Sequence, residues 1–318
     1  MEHLAMDIAE EARIREEFGD CFYDGSKPMP FPPLREDLAK PEHAIHLKPN
    51  AEVPNFRGYQ MTAGETEIFK RKCQALLECG YITPSDSKFA SPALLVKKAG
   101  PFKPGQDTHR LVVDYRALNE ATIRSYRIPP NIRDLINTLH GNACFTSMDI
   151  KDGFYNIRVR AEDRGKTAFV ARDGNGHLMK YEWCVMAMGL VNSPSTFQET
   201  MDEVFAPLQA FCMAYLDDII IFTKHGGAEH WSAVRQVLAI VRKHQFKLNG
   251  DKCKFARSSI KFLGFIVSKN SLEIDPEKTE AIRLFPRPNN KRELRRWVGG
   301  NLASFLRPLL QPTHVSPY

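Results

Sequence analysis

No two cysteines of this sequence sit at CxxC spacing. The seven present, at 21, 73, 79, 144, 184, 212 and 253, are odd in number and scattered. Disulfide frameworks and zinc sites both need closer, paired spacing, so both are excluded. The cysteines read as reduced thiols in a cytosolic or nuclear protein. Long apolar runs are missing as well. The longest uncharged stretch, Trp183 to Gln198, contains Asn192, Ser193 and Pro194, so it cannot be a membrane helix. The first twenty residues are acidic and lack an apolar centre, which excludes a secretory signal. No internal repeat is visible, which excludes a solenoid.

What is present is an ordinary globular composition. The chain has 318 residues, 43% of them hydrophobic, enough to exclude disorder for most of its length. The length fits about two domains, or one with large subdivisions. The net charge of +6 is unevenly spread. Residues 1–40 carry 5 basic and 10 acidic groups, residues 41–240 carry 23 and 22, and residues 241–318 carry 16 and 6. The basic last quarter is either a nucleic-acid surface or a solvated helical face; charge alone does not choose.

Residues 1–20 have the pattern of an acidic amphipathic helix, and the proline-rich 28–41 reads as an extended linker. Thr62 to Cys79 has near-helical apolar spacing, with Gly80 as a stop. Ala93–Val96 and Leu111–Val113 form a hairpin with a long Gly/Pro/Asp tip. Residues 131–140 are helical and Cys144–Ile150 is a strand. Thr167–Ala171 and Leu178–Trp183 flank Asp173-Gly174-Asn175-Gly176, a hairpin turn. Pro194–Phe205 and Glu229–His244 are helices, and Phe262–Val267 is a strand. Pro276–Phe285 and Lys291–Leu306 are basic helices. Hairpins mixed with helices point to an α+β fold.

The segment most suggestive of chemistry is Phe211–Thr223, FCMAYLDDIIIFT. Two adjacent carboxylates lie between two apolar strands. Asp is a common turn former, so a plain hairpin is one reading. Adjacent like charges at the tip of a buried ribbon also repel unless a cation lies between them, and Mg²⁺ takes one or two carboxylates together with substrate phosphates. A third carboxylate, Asp149, ends the strand-like run FTSMD, with Phe154 five residues on. It could complete a two-metal site or simply cap a following helix.

These segments resemble reverse transcriptases. Tyr215-Leu216-Asp217-Asp218 matches the family's YxDD motif, and Asp149 followed by Phe154 matches its first catalytic motif. SPALLVKKAG (91–100) and HRLVVDYRALNEATI (109–123) are similar to the finger strands. KTAFVARDGNGHLMKYEWCVMAMGLVNSPSTFQETM (166–201) is similar to the hairpin and helix that follow. KLNGDKCKF (247–255) and FLGFIVS (262–268) resemble the approach to the primer grip, and residues 274–299 the thumb of a gypsy-type LTR retrotransposon polymerase. The resemblance runs in one unbroken order over about 41–300.

The resemblance implies a right-hand α+β fold. Residues 1–40 would be a leader or linker, 41–270 fingers and palm with the YxDD hairpin in the palm, and 271–318 a truncated thumb. It implies an RNA-directed DNA polymerase acting on template–primer duplex and dNTPs. Asp149, Asp217 and Asp218, with Ile150 beside them, would surround two Mg²⁺ ions, for which Mn²⁺ could substitute. Arg110 would grip the triphosphate through its bidentate fork, with Lys97 or Lys98 as the second finger cation. Backbone amides of Lys151, Asp152 and Gly153 would face the phosphates. Phe154 would be the steric gate against a 2′-hydroxyl, and Met188 and Gly189 would shape the nucleotide pocket. Tyr215 and Leu216 would lie by the primer terminus, and Phe262, Leu263 and Gly264 would hold the primer strand. Read without the family, Arg110 is a surface arginine, Phe154 a core aromatic and FLGF a buried strand.

Two departures qualify this. MAMG (186–189) replaces the MPFG more common in gypsy-type elements, and residues 299–310 stray from the aromatic, basic helix that usually follows the thumb motif. With the chain ending at Tyr318, the expectation is a fragment or truncated copy without RNase H or integrase. The alternative reading is a remnant that binds nucleic acid without catalysis. The expected setting is a cytoplasmic virus-like particle or the nucleus.

Overall fold

The computed structural model describes residues 2–25, 28–52, 54–98, 108–125 and 132–276, together with Glu280, Asn290 and Lys291. The hairpin tip expected near 99–107 and most of the two basic helices expected after Pro276 lie outside the described residues.

A four-stranded antiparallel sheet forms the centre. Its order is Cys212–Tyr215, Asp218–Thr223, Cys144–Asp149, Lys254–Arg257. Strand 218–223 is buried on both faces, which explains its unbroken apolar run. Ile219 and Ile221 join a core with Met148 of the neighbouring strand and with Phe197, Val234 and Val237 of helices Ser193–Phe205 and Ala228–Lys243. Ile220 and Phe222 face the other way, onto Ile136 and Leu139 of helix Ile132–Leu139 and onto Ile260, Phe262 and Val267. The last three belong to a separate three-stranded sheet of Ser259–Phe262, Phe265–Ser268 and Leu272–Ile274.

A five-stranded sheet forms the second body, in the order Ile82–Pro84, Leu178–Trp183, Phe169–Arg172, Ser91–Lys97, His109–Val113. One pair, Ser91–Pro92 with Phe169–Val170, is parallel. Helix Ala63–Glu78 covers it through Phe69 and Cys73. Thr62 and Glu65 close a capping box at its start, an arrangement worth about 1 kcal/mol.

Three places show how the fold goes beyond the sequence pattern. The run Phe262–Val267, expected as one strand, is folded back on itself. Phe262 pairs with Phe265 across a turn at Leu263 and Gly264, whose φ values are +48° and +86°. Two consecutive positive φ angles make a tight hairpin turn, and a Leu in that position hides it from pattern reading. Strand Lys254–Arg257 was not anticipated. Its pairing carries a bulge, with Lys254 opposite Ser147 and Arg257 opposite Phe145, and Ala256 sits at φ +46°. The extra residue breaks the period-two pattern by which a strand is read.

The third is the way residues before 41, read as an acidic helix and an extended proline-rich leader or linker, meet the rest of the fold. Helix Glu2–Glu17 and the residues after it are built onto the central body. Ile14, Phe18 and Cys21 are buried in the core with Trp231 and Leu238, at about 1.5–3 kcal/mol for each large side chain. Arg235 bridges Glu10 and Glu17, and Arg242 pairs with Asp20; such surface pairs add little. In the proline-rich stretch, Arg35 is buried and donates to the carbonyls of Asn156 (2.6 Å) and His244 (2.9 Å).

One buried histidine ties the central sheet to its helix. The Thr223 hydroxyl donates to the His225 carbonyl (2.6 Å), so it accepts from Nδ1–H of His230 (2.8 Å). Nε2 of His230 then accepts from the Thr146 hydroxyl (2.8 Å), whose oxygen also accepts from the Ala256 amide (3.0 Å). This chain of bonds requires the neutral, Nδ1-protonated ring. Burial pushes the pKa of His230 down to about 4, and burial does the same to His43, which contacts the Thr196 hydroxyl. Between pH 6.5 and 4 the unfolded chain therefore takes up protons that these two rings refuse, and stability is lost as the pH falls, by up to about 3 kcal/mol for each ring. The thermal midpoint of His230→Asn or His43→Asn should vary less with pH over this window than that of the parent. Parallel pH profiles in all three proteins would contradict the assignment.

Candidate active site

The three aspartates meet at one end of the central sheet. Asp149 and Asp218 are direct cross-strand partners, at the end of a six-pair antiparallel register that runs to Cys144 and Thr223. Asp217 lies in the two-residue turn between Tyr215 and Asp218. Its carbonyl accepts the Ile150 amide at 2.8 Å, which ties the turn to the neighbouring strand. Gly153 completes the fit. A Cβ there would stand 3.2 Å from Cβ of Asp217 and 3.2 Å from the Phe197 ring, so any other residue would push the turn away.

The turn is strained. Leu216 has φ +53°, a conformation costing a bulky side chain roughly 1–2 kcal/mol. Gln198 holds it there. This side chain is 3% exposed; its Oε1 accepts the Leu216 amide at 2.8 Å, and its Nε2 donates to the Ala214 carbonyl at 2.9 Å and to Asp202 at 2.7 Å. Every polar atom of the amide is used. Gln198 has no signal in sequence beyond its place on a helix, because its role depends on a strand met only in the fold.

Lys252 is a second residue to which sequence gave no role. Its ammonium donates to both oxygens of Asp149, at 3.0 and 3.1 Å. That contact in turn holds the Lys252 pKa above its ordinary value. The loop bearing Lys252 is braced from the chain's beginning, where Phe22 and Tyr23 pair in parallel with Leu248 and Asn249. Asp218 is the group most perturbed by the crowding. Burial, then Asp217 and Asp149, raise its pKa to about 6, against the opposing effect of Lys252.

A hollow of about 370 Å³ adjoins these carboxylates, lined among others by Asp149, Asp218, Asp251, Lys252, Lys254 and Lys261. No three His, Cys, Asp or Glu side chains among the described residues are closed on one point as a ready metal cage. The donor set nevertheless fits a hard divalent cation. It is all oxygen, it sits on adjoining backbone positions, and its mutual repulsion is of the kind a cation relieves.

A second, larger cleft of about 1110 Å³ is lined by Lys98, Arg110, Lys151, Asp152, Met188 and Gly189. Six of the expected nucleotide-site residues thus share one hollow. Of the two candidate finger lysines, Lys98 lines it. Arg71 and Lys72, from helix Ala63–Glu78, line it as well; they read as ordinary helix-surface charges in sequence. Met188 is 52% exposed at the rim.

Two expectations need correction. The Lys151 amide donates to the Lys247 carbonyl at 2.7 Å, so it is not available to a phosphate. The Lys151 side chain, paired with Asp152 at 3.2 Å, lines the cleft instead. Phe262 is 3% exposed in the core beside Ile220, so its ring cannot grip a primer strand, and only Leu263 and Gly264 occupy the turn. Phe154 is half-buried and meets the Phe197 ring edge-on at 5.7 Å; it is part of the packing as well as a candidate for the sugar pocket. Tyr215 and Leu216 line a smaller hollow of about 200 Å³ with Ser125, Asn192, Pro194 and Gln198.

Comparison with known proteins agrees with this geometry. A family profile described as reverse transcriptase (RNA-dependent DNA polymerase) matches residues 96–267. The Retrovirus-related Pol polyprotein from transposon gypsy of Drosophila melanogaster is 34% identical over 256 residues, covering 80% of this chain and 24% of that polyprotein. The enzymatic polyprotein of Figwort mosaic virus is 34% identical over 263 residues, covering 82% of this chain and 37% of its own length. The chain spans between 24% and 39% of such curated relatives. Among solved structures, the foamy viral protease-reverse transcriptase in complex with RNA/DNA hybrid superposes with a TM-score of 0.75 at 20% identity, covering 94% of this chain and 38% of that one. The fold is therefore the right-hand polymerase α+β fold, and the chain belongs to the reverse transcriptase (RNA-dependent DNA polymerase) family.

Proposed function

We propose that this chain is an RNA-directed DNA polymerase of a retrotransposon, extending a primer on an RNA or DNA template by transfer of a deoxynucleotide. The observation that carries the reading is the cross-strand pairing of Asp149 with Asp218, with Asp217 clamped in the turn between the strands. Two Mg²⁺ ions, when bound by Asp149, Asp217 and Asp218, would neutralise charge on the reacting phosphate and lower the pKa of the primer 3′-hydroxyl. The central sheet would serve as palm, the five-stranded sheet as fingers, and residues from 271 on as thumb.

The chain's own residues supply position and field. Lys98 and Arg110 line the cleft where a triphosphate would lie, and Arg offers a planar fork for its oxygens. Gly153 leaves room for Asp217, and Gln198 holds the turn at the geometry the attack needs. Phase and distance matter here, because a misplacement of about 1 Å can cost about a hundredfold in rate. Phe154, braced edge-on by Phe197, would stand under the sugar and exclude a 2′-hydroxyl. Template–primer duplex is the proposed partner; the foamy viral relatives are seen with RNA/DNA hybrid and with double-stranded DNA.

Incorporation of dTTP on poly-rA/oligo-dT in Mg²⁺ tests the reading. Asp217→Asn should lose activity by about two to three orders of magnitude or more. A folded parent that binds duplex without extending it would leave the nucleic-acid-binding remnant as the better account. Phe154→Val should raise the use of ribonucleotides relative to deoxynucleotides by about tenfold or more; an unchanged ratio removes the gate assignment. Gln198→Leu leaves the Leu216 amide and the Ala214 carbonyl without partners. It should lower kcat by about ten- to a hundredfold while the duplex Kd stays put, and equal loss in both would show a general collapse instead.

A further inference from the structure

Two asparagines outside the expected site join the loop that carries Met188 and Gly189 to helix Arg116–Ala121 and the residues just after it. The loop runs from Met186 to Asn192 between strand Leu178–Trp183 and helix Ser193–Phe205 and has no regular structure of its own. It carries Met188 and Gly189, both on the wall of the large cleft. Asn119, on helix Arg116–Ala121, reaches across to it. Its Nδ2 donates to the Gly189 carbonyl at 2.8 Å, and its Oδ1 accepts the Val191 amide at 2.8 Å. Asn192 reaches back from the loop. Its Nδ2 donates to the Ile123 carbonyl at 2.9 Å, and its Oδ1 accepts the Ser125 amide at 2.8 Å.

The two side chains make a reciprocal clasp. Each uses its donor and its acceptor on the other segment's backbone, and only one orientation of each amide satisfies both bonds. Leu190, between the two backbone groups held by Asn119, is 5% exposed and belongs to the core. Gly189 has φ +93° and passes over Tyr115, whose ring would stand 3.7 Å from an added Cβ. Tyr115 is itself fixed, buried and donating to the Thr167 carbonyl at 2.7 Å. At the loop's far end, the Ser193 hydroxyl donates to the Ala187 carbonyl at 3.1 Å. The Met188 side chain is thus left pointing out of a loop whose backbone is tied on both sides of it.

We propose that Asn119 and Asn192 are positioning residues that set the depth of the nucleotide pocket, by clasping the Met188–Gly189 turn to the segment Arg116–Ser125. The inference rests on the reading of the large cleft as the nucleotide site. A clasp of this kind acts on how well a nucleotide fits and on discrimination between correct and mismatched bases. It does not act on the turn that carries Asp217 and Asp218, whose backbone is held by separate bonds to Gln198 and Ile150.

The test is steady-state incorporation by Asn119→Asp and Asn192→Asp, which keep shape and the acceptor but lose the donor, and by Asn119→Ala. The KM for the correct dNTP should rise about five- to tenfold, with a similar loss of discrimination against mismatches and kcat within about twofold, as expected for removal of one or two hydrogen bonds of ordinary strength. Amide hydrogen exchange at Val191 should quicken in Asn119→Ala, and at Ser125 in Asn192→Ala. Faster exchange with unchanged KM and discrimination would overturn the proposal, as would a loss of kcat in step with the thermal midpoint. If the parent incorporates no nucleotide, the polymerase reading fails separately. Exchange at Val191, with a titration of dNTP onto the duplex-bound protein, then decides the clasp: unaltered dNTP affinity in Asn119→Ala overturns it, and weakened affinity sustains it.

Discussion

Everything at this site depends on holding like charges together. Asp149, Asp217 and Asp218 repel one another, and the cost is visible at Asp218, whose pKa rises to about 6 through burial and its two acidic neighbours. A flexible loop would relieve the strain by moving apart. Here the backbone forbids it. Six consecutive cross-strand pairs fix Asp218 opposite Asp149, and a slip by one residue would exchange the two faces of the strand, setting Ile219 and Ile221 among the packing partners of Ile220 and Phe222. Strand 218–223 is covered on both faces, by helices on one and by Ile136, Ile260 and Val267 on the other, so a shifted register would break the fitted packing on each. The hydrophobic core therefore does electrostatic service: its burial energy offsets the repulsion it imposes.

Burial alone would give a well-packed sheet with an imprecise tip. The tip is set by neutral polar groups. Gln198 satisfies the backbone of the strained turn, and His230 links Thr146 to Thr223 behind it. Buried polar groups with all their bonds made confer a unique arrangement, since any alternative leaves one of them unpaired in a low-dielectric interior. Neutrality matters in both cases. A charged group at either place would add to a field already carrying three carboxylates, and the depressed pKa of His230 keeps that ring uncharged near neutrality.

Much of this was legible in the residues themselves. The helices Ala63–Glu78, Ser193–Phe205 and Ala228–Lys243, and the hairpin carrying Asp217 and Asp218, follow from apolar spacing and turn chemistry, and the structure contains them within a residue or two. The convergence of Asp149 with the Asp-Asp pair was reachable only through the ordered family motifs, because 68 residues of chain separate Asp149 from Asp217 and spacing carries no distance. Unreadable features share a cause. The turn at Leu263-Gly264 and the bulge at Ala256 place residues other than Gly at positive φ, so the usual punctuation is missing. Gln198, Asn119 and Asn192 matter through bonds to backbone groups far along the chain, and a backbone group has no letter in the sequence.

Charge shows most clearly why position outranks composition. The segment totals pointed to the basic last quarter as the place where a polyanion would be met, yet half of the net charge of that quarter lies beyond the described residues. Within the described residues, the cations lining the large cleft are Arg71, Lys72, Lys98, Arg110 and Lys151. All five come from residues 41–240, whose basic and acidic groups nearly balance. Folding sorts them. Several acidic groups of that region are engaged in pairs of their own, as Asp163 is with Lys166 and with the Ile45 amide, and Asp114 with Arg116; among the described residues that line the cleft, Asp152 is the acidic one. A cluster of positive charge can thus arise in a segment with almost no net charge, and clefts concentrate the field of the few groups that line them.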